Sequence, residues 1–357
     1  MRKAYLDNIR WMTVVIVVIY HVLYMYNGEG ILGGLGKITD LPVQHYDLFL
    51  YVVYPWLMPI LFIVSGICAK HDLDRHTGKE FIAKRTRKLL VPSTIGLFVF
   101  QFISGYFNMS LGNAFDNMGE VPTVIQYFIM VLSGTGPLWY MQMLWLFSIL
   151  LFEIKRIENN HLWEVGKKTN LITLILLCIP VWISSLLLNT PVVVVYRFGL
   201  YLTMFLLGYY VFSHDEVIDI LKRWFTLFLG IASILGIIFC MRYFGENYAD
   251  APINRTPLYI AYCWFGCLAI LGGMAKHGNI TNSFTQHMNK HSFGLYVFHY
   301  LGMTMVAVLI AKPKLLPAPA IYLLTLVAGV ASGYLFYEVI SRLPFFRWAV
   351  LGIKKKG

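Results

Sequence analysis

Long apolar runs separated by short polar segments set the pattern of this chain. The first runs from Trp11 to Tyr26, behind the polar opening MRKAYLDNIR. Nine more follow at about 46–69, 91–108, 137–154, 170–188, 196–212, 224–241, 257–274, 292–310 and 319–340. Each of these nine holds roughly 17–24 residues, the length an α-helix needs to cross a hydrocarbon core. The pattern predicts an all-α polytopic membrane protein with about ten transmembrane helices. A further apolar stretch, 121–132, is too short to span and predicts a re-entrant or interfacial segment. The first run ends YMYNGEG, without the small residues of a cleavage site, so it predicts a retained helix and not a signal peptide.

Composition agrees with the pattern. Hydrophobic residues make up 58% of the 357 and charged ones only 13%, about half of what a soluble domain carries. A soluble enzyme, a disordered chain and a nucleic-acid module are excluded. The net charge of +11 changes the picture only through its placement. With the N-terminus inside, 23 of the 29 Lys and Arg fall in inner segments, among them Arg2, Lys355 and Lys356. The other six, Lys37, Arg197, Arg242, Arg255, Lys312 and Lys314, fall in outer ones. This asymmetry is the positive-inside signature. It predicts both termini in the cytoplasm, and it explains the charge without any nucleic acid. The absence of an internal repeat or a domain-sized linker reads as one transmembrane domain over 1–357. Cys68, Cys178, Cys240, Cys263 and Cys267 lie in apolar stretches with no metal-ligand spacing, so they read as packing residues and no metal is expected.

Polar residues inside the apolar runs carry the chemistry, because each is costly there. His21 stands in the first run and Arg10 at its inner end, eleven positions apart. Eleven residues turn a helix about three times with roughly 20° left over and rise about 16.5 Å, so both side chains leave one face. A cation at the surface in line with an imidazole near mid-membrane suits a long donor with a phosphate head and a reactive far end, the shape of a coenzyme A thioester. A neutral imidazole can take a proton from an attacking hydroxyl. The bland alternatives are a histidine bonded between helices for packing and an arginine that anchors at the interface.

FIAKRTRKLLVP, 81–92, reads as a basic amphipathic helix on the inner surface, with Pro92 opening the next span. Arg85, Arg87 and Lys88 could cradle the donor's phosphates or bind anionic lipid headgroups. GPLWYMQMLWLF, 136–147, brings Trp139, Tyr140 and Gln142 to the outer end of its helix. These are interfacial aromatics, or rings on which an acceptor sugar stacks. In SFGLYVFHY, 292–300, counting in from the inner ends puts His299 at a depth like that of His21, with Tyr296 one turn away. Two histidines at one depth suggest a polar cavity. Glu338 and Arg342 read as a local ion pair, Ser65-Gly66 as a close helix approach and not a nucleophile, and His71, His76, His161, His214, His277, His287 and His291 as loop residues.

In order along the chain, YLDNIRWMTVVIVVIYH, LFIVSG, FIAKRTRKLLVP, GPLWYMQMLWLF, YLTMFLLGYYVF, SFGLYVFHY and YEVISRLPFFRWAVLG together resemble the acyltransferase 3 family. Its signature of a basic residue, ten residues and a histidine is matched by Arg10 and His21. The resemblance implies an integral-membrane acyltransferase of the bacterial plasma membrane. It moves an acyl group, often acetyl, from cytoplasmic acyl-CoA to a hydroxyl of a carbohydrate or related cell-envelope acceptor. His21 would be its catalytic histidine, Arg10 the signature partner, and Arg85 and Arg87 part of the donor loop. Acyl-CoA would be a co-substrate and no cofactor would be held permanently. The chain lacks the WSLxxE pattern and the fused hydrolase-like domain of some members, which argues against a peptidoglycan acceptor. A transporter or lipid-linked-sugar flippase also suits ten helices with a polar midplane, but neither repeats nor paired broken helices are evident. A membrane scaffold would leave His21 and His299 unexplained.

Overall fold

The computed structural model describes residues 3–190 and 195–354. Arg2, Lys355 and Lys356, counted above among the inner cations, lie outside them. The chain is 78% helical and without strands among the described residues. Among the described residues, eight helices are long and apolar enough to cross a membrane: Ala4–Met25, His45–Leu73, Gly78–Leu111, Gly136–Glu158, Phe225–Tyr243, Pro257–His277, Ser283–Ala311 and Ala318–Arg342. The run at 170–188 folds as a helix too short to be counted as a span by itself, Leu171–Ser185. It is bent by 113° from the preceding His161–Lys167, and the two together make at most a ninth crossing. The run at 196–212 folds as a 13-residue helix, Phe198–Tyr210, and the short stretch at 121–132 as Thr123–Ser133.

The helices gather into two compact units: 1–13, 48–82 and 146–289 form the first, and 14–47, 83–145 and 290–357 the second. In the first unit, helix Leu48–Leu73 packs on Phe198–Tyr210 through glycines. A Cβ on Gly66 would lie 2.0 Å from the carbonyl oxygen of Phe205, and one on Gly208 2.2 Å from that of Ile63. Only hydrogen allows the two backbones this close, as small residues do in membrane helix pairs. Trp264 Nε1 donates to Leu174 O at 2.9 Å and Tyr262 OH to Val52 O at 2.7 Å, which ties Pro257–His277 into the unit. The N-terminal segment is held by Lys3 on Asp215, 2.5 Å, and by Asn8 Nδ2 on the carbonyls of Gly278 and Ile280, both 2.8 Å.

The chain runs helically from Gly78 to Leu111 without the break expected at Pro92, and the second unit takes it up from Ala83. The turn Thr86–Leu90 is a π-helix, and Ser93 and Thr94 return their hydroxyls to Leu89 O and Leu90 O at 2.6 Å each. Side-chain hydroxyls and a widened turn absorb what proline removes from a membrane helix. The basic segment is therefore the first turns of the span itself and not a separate surface helix. Helix Thr123–Ser133 packs on 102–111, where a Cβ on Gly105 would meet Met130 O at 1.7 Å. Ser332 Oγ donates to Phe298 O at 2.9 Å, joining Ala318–Arg342 to Ser283–Val306. Not all the histidines assigned to loops are there: His71, His161, His277, His287 and His291 are helical, and His214 is buried with its ring tilted 3.8 Å from that of Trp163.

Candidate active site

The second unit brings His21 and His299 into direct contact. His21 Nδ1 lies 2.9 Å from His299 Nε2, with the rings stacked at 5.1 Å between centroids. His299 is completely buried, and its Nδ1 faces two main-chain carbonyls, Leu295 O at 2.7 Å and Tyr296 O at 3.1 Å. A carbonyl only accepts, so His299 Nδ1 must carry the proton. In a neutral ring Nε2 is then a bare acceptor, and His21 Nδ1 must donate to it. This leaves the lone pair of His21 on Nε2, which has no hydrogen-bond partner among the described residues on a half-buried ring. The tautomer of a histidine is set in this way by the bond its other nitrogen makes.

The helices that carry the two histidines start earlier than the apolar runs do. Ala4–Met25 and Ser283–Val306 each carry the imidazole a similar distance past the helix start. The depth match inferred from counting is a contact in the structure. Three tyrosines wall His21: Tyr20 and Tyr300 at 5.4 Å and Tyr24 at 5.9 Å, all edge-on. Tyr24 OH donates to Leu32 O, and Tyr300 OH donates to Gly33 O at 3.0 Å, which draws the segment after the first helix over the imidazole. Gly33 adopts φ +101°, and a Cβ there would sit 2.4 Å from the Tyr24 hydroxyl, so this position requires glycine. Tyr24 and Tyr300 were not singled out from the sequence; the available signal was a tyrosine one helical turn after His21 and another next to His299.

The other predicted residues divide. Tyr296 donates its hydroxyl to Pro137 O, and its ring lies 6.2 Å from Tyr140, so these two share a wall with the histidine helix. Trp139 packs on Tyr140 at 6.4 Å. Gln142 Nε2 donates to Ser93 O at 3.0 Å, a tie across the Pro92 turn. Arg87 is half-buried, with no partner for its Nε among the described residues. Its backbone lies against the C-terminal turn at Gly352, where a Cβ would meet Arg87 O at 2.4 Å. Arg85 is half-buried and Lys88 exposed in the same turns. Arg10 pairs loosely with Asp7, 3.5 Å, on the unbroken first helix. Glu338 and Arg342 form their local pair at 3.5 Å, and His291 adds to it at 3.7 Å from Glu338. No group of three or more potential ligands for a metal ion occurs among the described residues.

A half-buried, oriented imidazole with an open nitrogen can serve an acyl transfer as general base. A family model described as an acyltransferase domain, that of the acyltransferase 3 family, matches residues 3–338. The chain belongs to the acyltransferase 3 family. No curated protein matches it, and no solved structure does. The match covers both units of this membrane acyltransferase, and it includes the histidine pair and the basic turns at 85–88. The multi-pass helices place its chemistry in a bilayer.

Proposed function

We propose that this protein transfers an acyl group, acetyl in the simplest case, from cytoplasmic acyl-CoA to a hydroxyl of a carbohydrate or related cell-envelope acceptor, in a bacterial plasma membrane. The observation that carries the reading is the chain from Leu295 and Tyr296 carbonyls through His299 to His21, which leaves His21 Nε2 as the proton acceptor. The acceptor hydroxyl gives its proton to Nε2 as its oxygen attacks the thioester carbonyl. The C–S bond then breaks, and the departing thiolate takes the proton back from the imidazolium. His299 stays neutral throughout and holds the His21 ring in one tautomer, the role an orienting group plays beside a catalytic histidine. Arg10, Arg85, Arg87 and Lys88 would receive the donor's phosphates; Trp139, Tyr140 and Tyr296 would line the acceptor side.

The test is CoA release by purified protein in nanodiscs given acetyl-CoA, with and without candidate acceptor glycans. Wild type should release free CoA, and His21→Ala should lose that activity while still inserting and binding acetyl-CoA. Full activity in His21→Ala would sink the mechanism. Failure of the wild type to bind any acyl-CoA would sink the donor and leave the transport reading in its place.

A further inference from the structure

The first unit buries an arginine that acyl transfer does not use. Arg197, at the entrance to helix Phe198–Tyr210, is 2% exposed, among the largest fully buried side chains. Its guanidinium makes two polar contacts: Nη2 to Asn254 O at 2.5 Å and Nη1 to Tyr259 OH at 3.4 Å. It also lies over the Tyr259 ring, 5.2 Å from the centroid. Among the described residues its Nε–H is buried with nothing to bond, and no carboxylate pairs with the group. Beside it, Asn254 keeps its side-chain carbonyl Oδ1 buried and unbonded while its Nδ2 donates to Ala249 O.

A guanidinium removed from water is costly unless an anion answers it. One carbonyl, one long phenol contact and a ring face offset part of that cost, and they leave the charge itself uncompensated. Two more phenols, those of Tyr54 and Tyr201, lie within electrostatic reach of the cation. One cation with an unused Nε–H calls for one negative charge, and the planar fork suits a carboxylate better than a sphere. The orphaned Asn254 Oδ1 calls for a donor on the same ligand. We infer that Arg197, with Tyr259 and Asn254, forms a binding site for a carboxylate. It stands independently of the acyl-transfer reading.

The probe is sodium acetate, titrated into wild-type protein in nanodiscs in chloride-free buffer, with thermal unfolding as readout. Acetamide, neutral and of nearly the same shape, is the control. Acetate should raise the unfolding temperature saturably and acetamide should not. Arg197→Gln should weaken the acetate response by about tenfold or more, the loss of one charge-assisted hydrogen bond. Arg197→Lys, which keeps the charge and loses the fork, should fall between. If Arg197→Gln does not insert, Tyr259→Phe and the ¹⁹F linewidth of trifluoroacetate with wild type supply the same answer: broadening beyond that with empty nanodiscs, reversed by acetate. Laurate in the bilayer forms a second arm. Stronger stabilisation by laurate than by acetate places the carboxylate on a lipid, and the reverse places it on a soluble ligand. No saturable response in wild type to either carboxylate, an equal response in Arg197→Gln, or displacement by chloride at acetate's own concentration would each overturn the assignment.

Discussion

His21 and His299 were both legible as polar residues in apolar runs, and their shared depth could be counted. Their bond could not be read from the sequence, because it depends on how the two helices are rotated about their axes, which the surrounding apolar side chains decide together. On the proposed mechanism that bond would make His299 a positioning residue with a distinct kinetic signature. His299→Leu removes the acceptor for His21 Nδ1–H and frees the ring to take the wrong tautomer. kcat should drop by about 10²-fold or more, the range general-base catalysis spans, with the KM for acyl-CoA unchanged. His299→Gln places an amide oxygen near the lost Nε2 and should recover part of kcat. Equal loss in both variants, or loss accompanied by a raised KM, would assign His299 to packing alone. A second residue-scale prediction concerns Glu29, in the segment that Tyr24 and Tyr300 draw over His21. Burial, and then the charge of Asp47, pushes its carboxyl up from an ordinary 4.5 to about 7. The folded state therefore keeps a proton that the unfolded chain has already lost between these values. Stability should fall as pH rises through that window and level off above it. Glu29→Gln should flatten the fall, as followed by unfolding temperature against pH.

At the scale of elements, the apolar runs foretold which segments become helices, since hydrophobic length is a property of the chain itself. Two joints escaped that reading. Pro92 normally marks a boundary, yet Ser93 and Thr94 supply hydroxyls to the carbonyls around it and the helix continues. The run at 170–188 stays apolar through Leu186–Leu188, yet its helix stops at Ser185. Glycines show the same split between composition and context. Gly105→Ala would drive a Cβ to 1.7 Å from Met130 O, and nothing there can yield except a backbone. It should destabilise by about 1–3 kcal/mol or more. Gly230→Ala, in helix Phe225–Tyr243 with nothing within 4 Å, should instead gain about 0.5–1 kcal/mol from helix propensity. Denaturant or thermal unfolding of the two variants, side by side in one detergent, checks both signs.

At the scale of the whole chain, the count of crossings and the placement of the ends can be separated. Four long spans precede residue 159 and four follow residue 224. The segment between holds the bent Leu171–Ser185 and the 13-residue Phe198–Tyr210, the latter about 20 Å long against a core of about 30 Å. If this pair crosses twice, the chain has ten spans; if it dips in and returns, eight. Eight and ten both put the ends on one side, which is why the distribution of Lys and Arg agrees with either, whereas nine crossings would part them. What differs is the loop at 186–190 and with it the side on which Arg197 lies. We expect ten spans with both ends in the cytoplasm. In a cysteine-free background, Leu187→Cys, at an exposed position, should react with a membrane-impermeant maleimide added to intact cells. Lys79→Cys, exposed after the second span, should react only once the cells are permeabilised. Protection of both until permeabilisation would reduce the count to eight and leave the ends inside. Labelling of Lys79→Cys in intact cells would invert the topology and move the basic turns at 85–88 away from any cytoplasmic acyl-CoA.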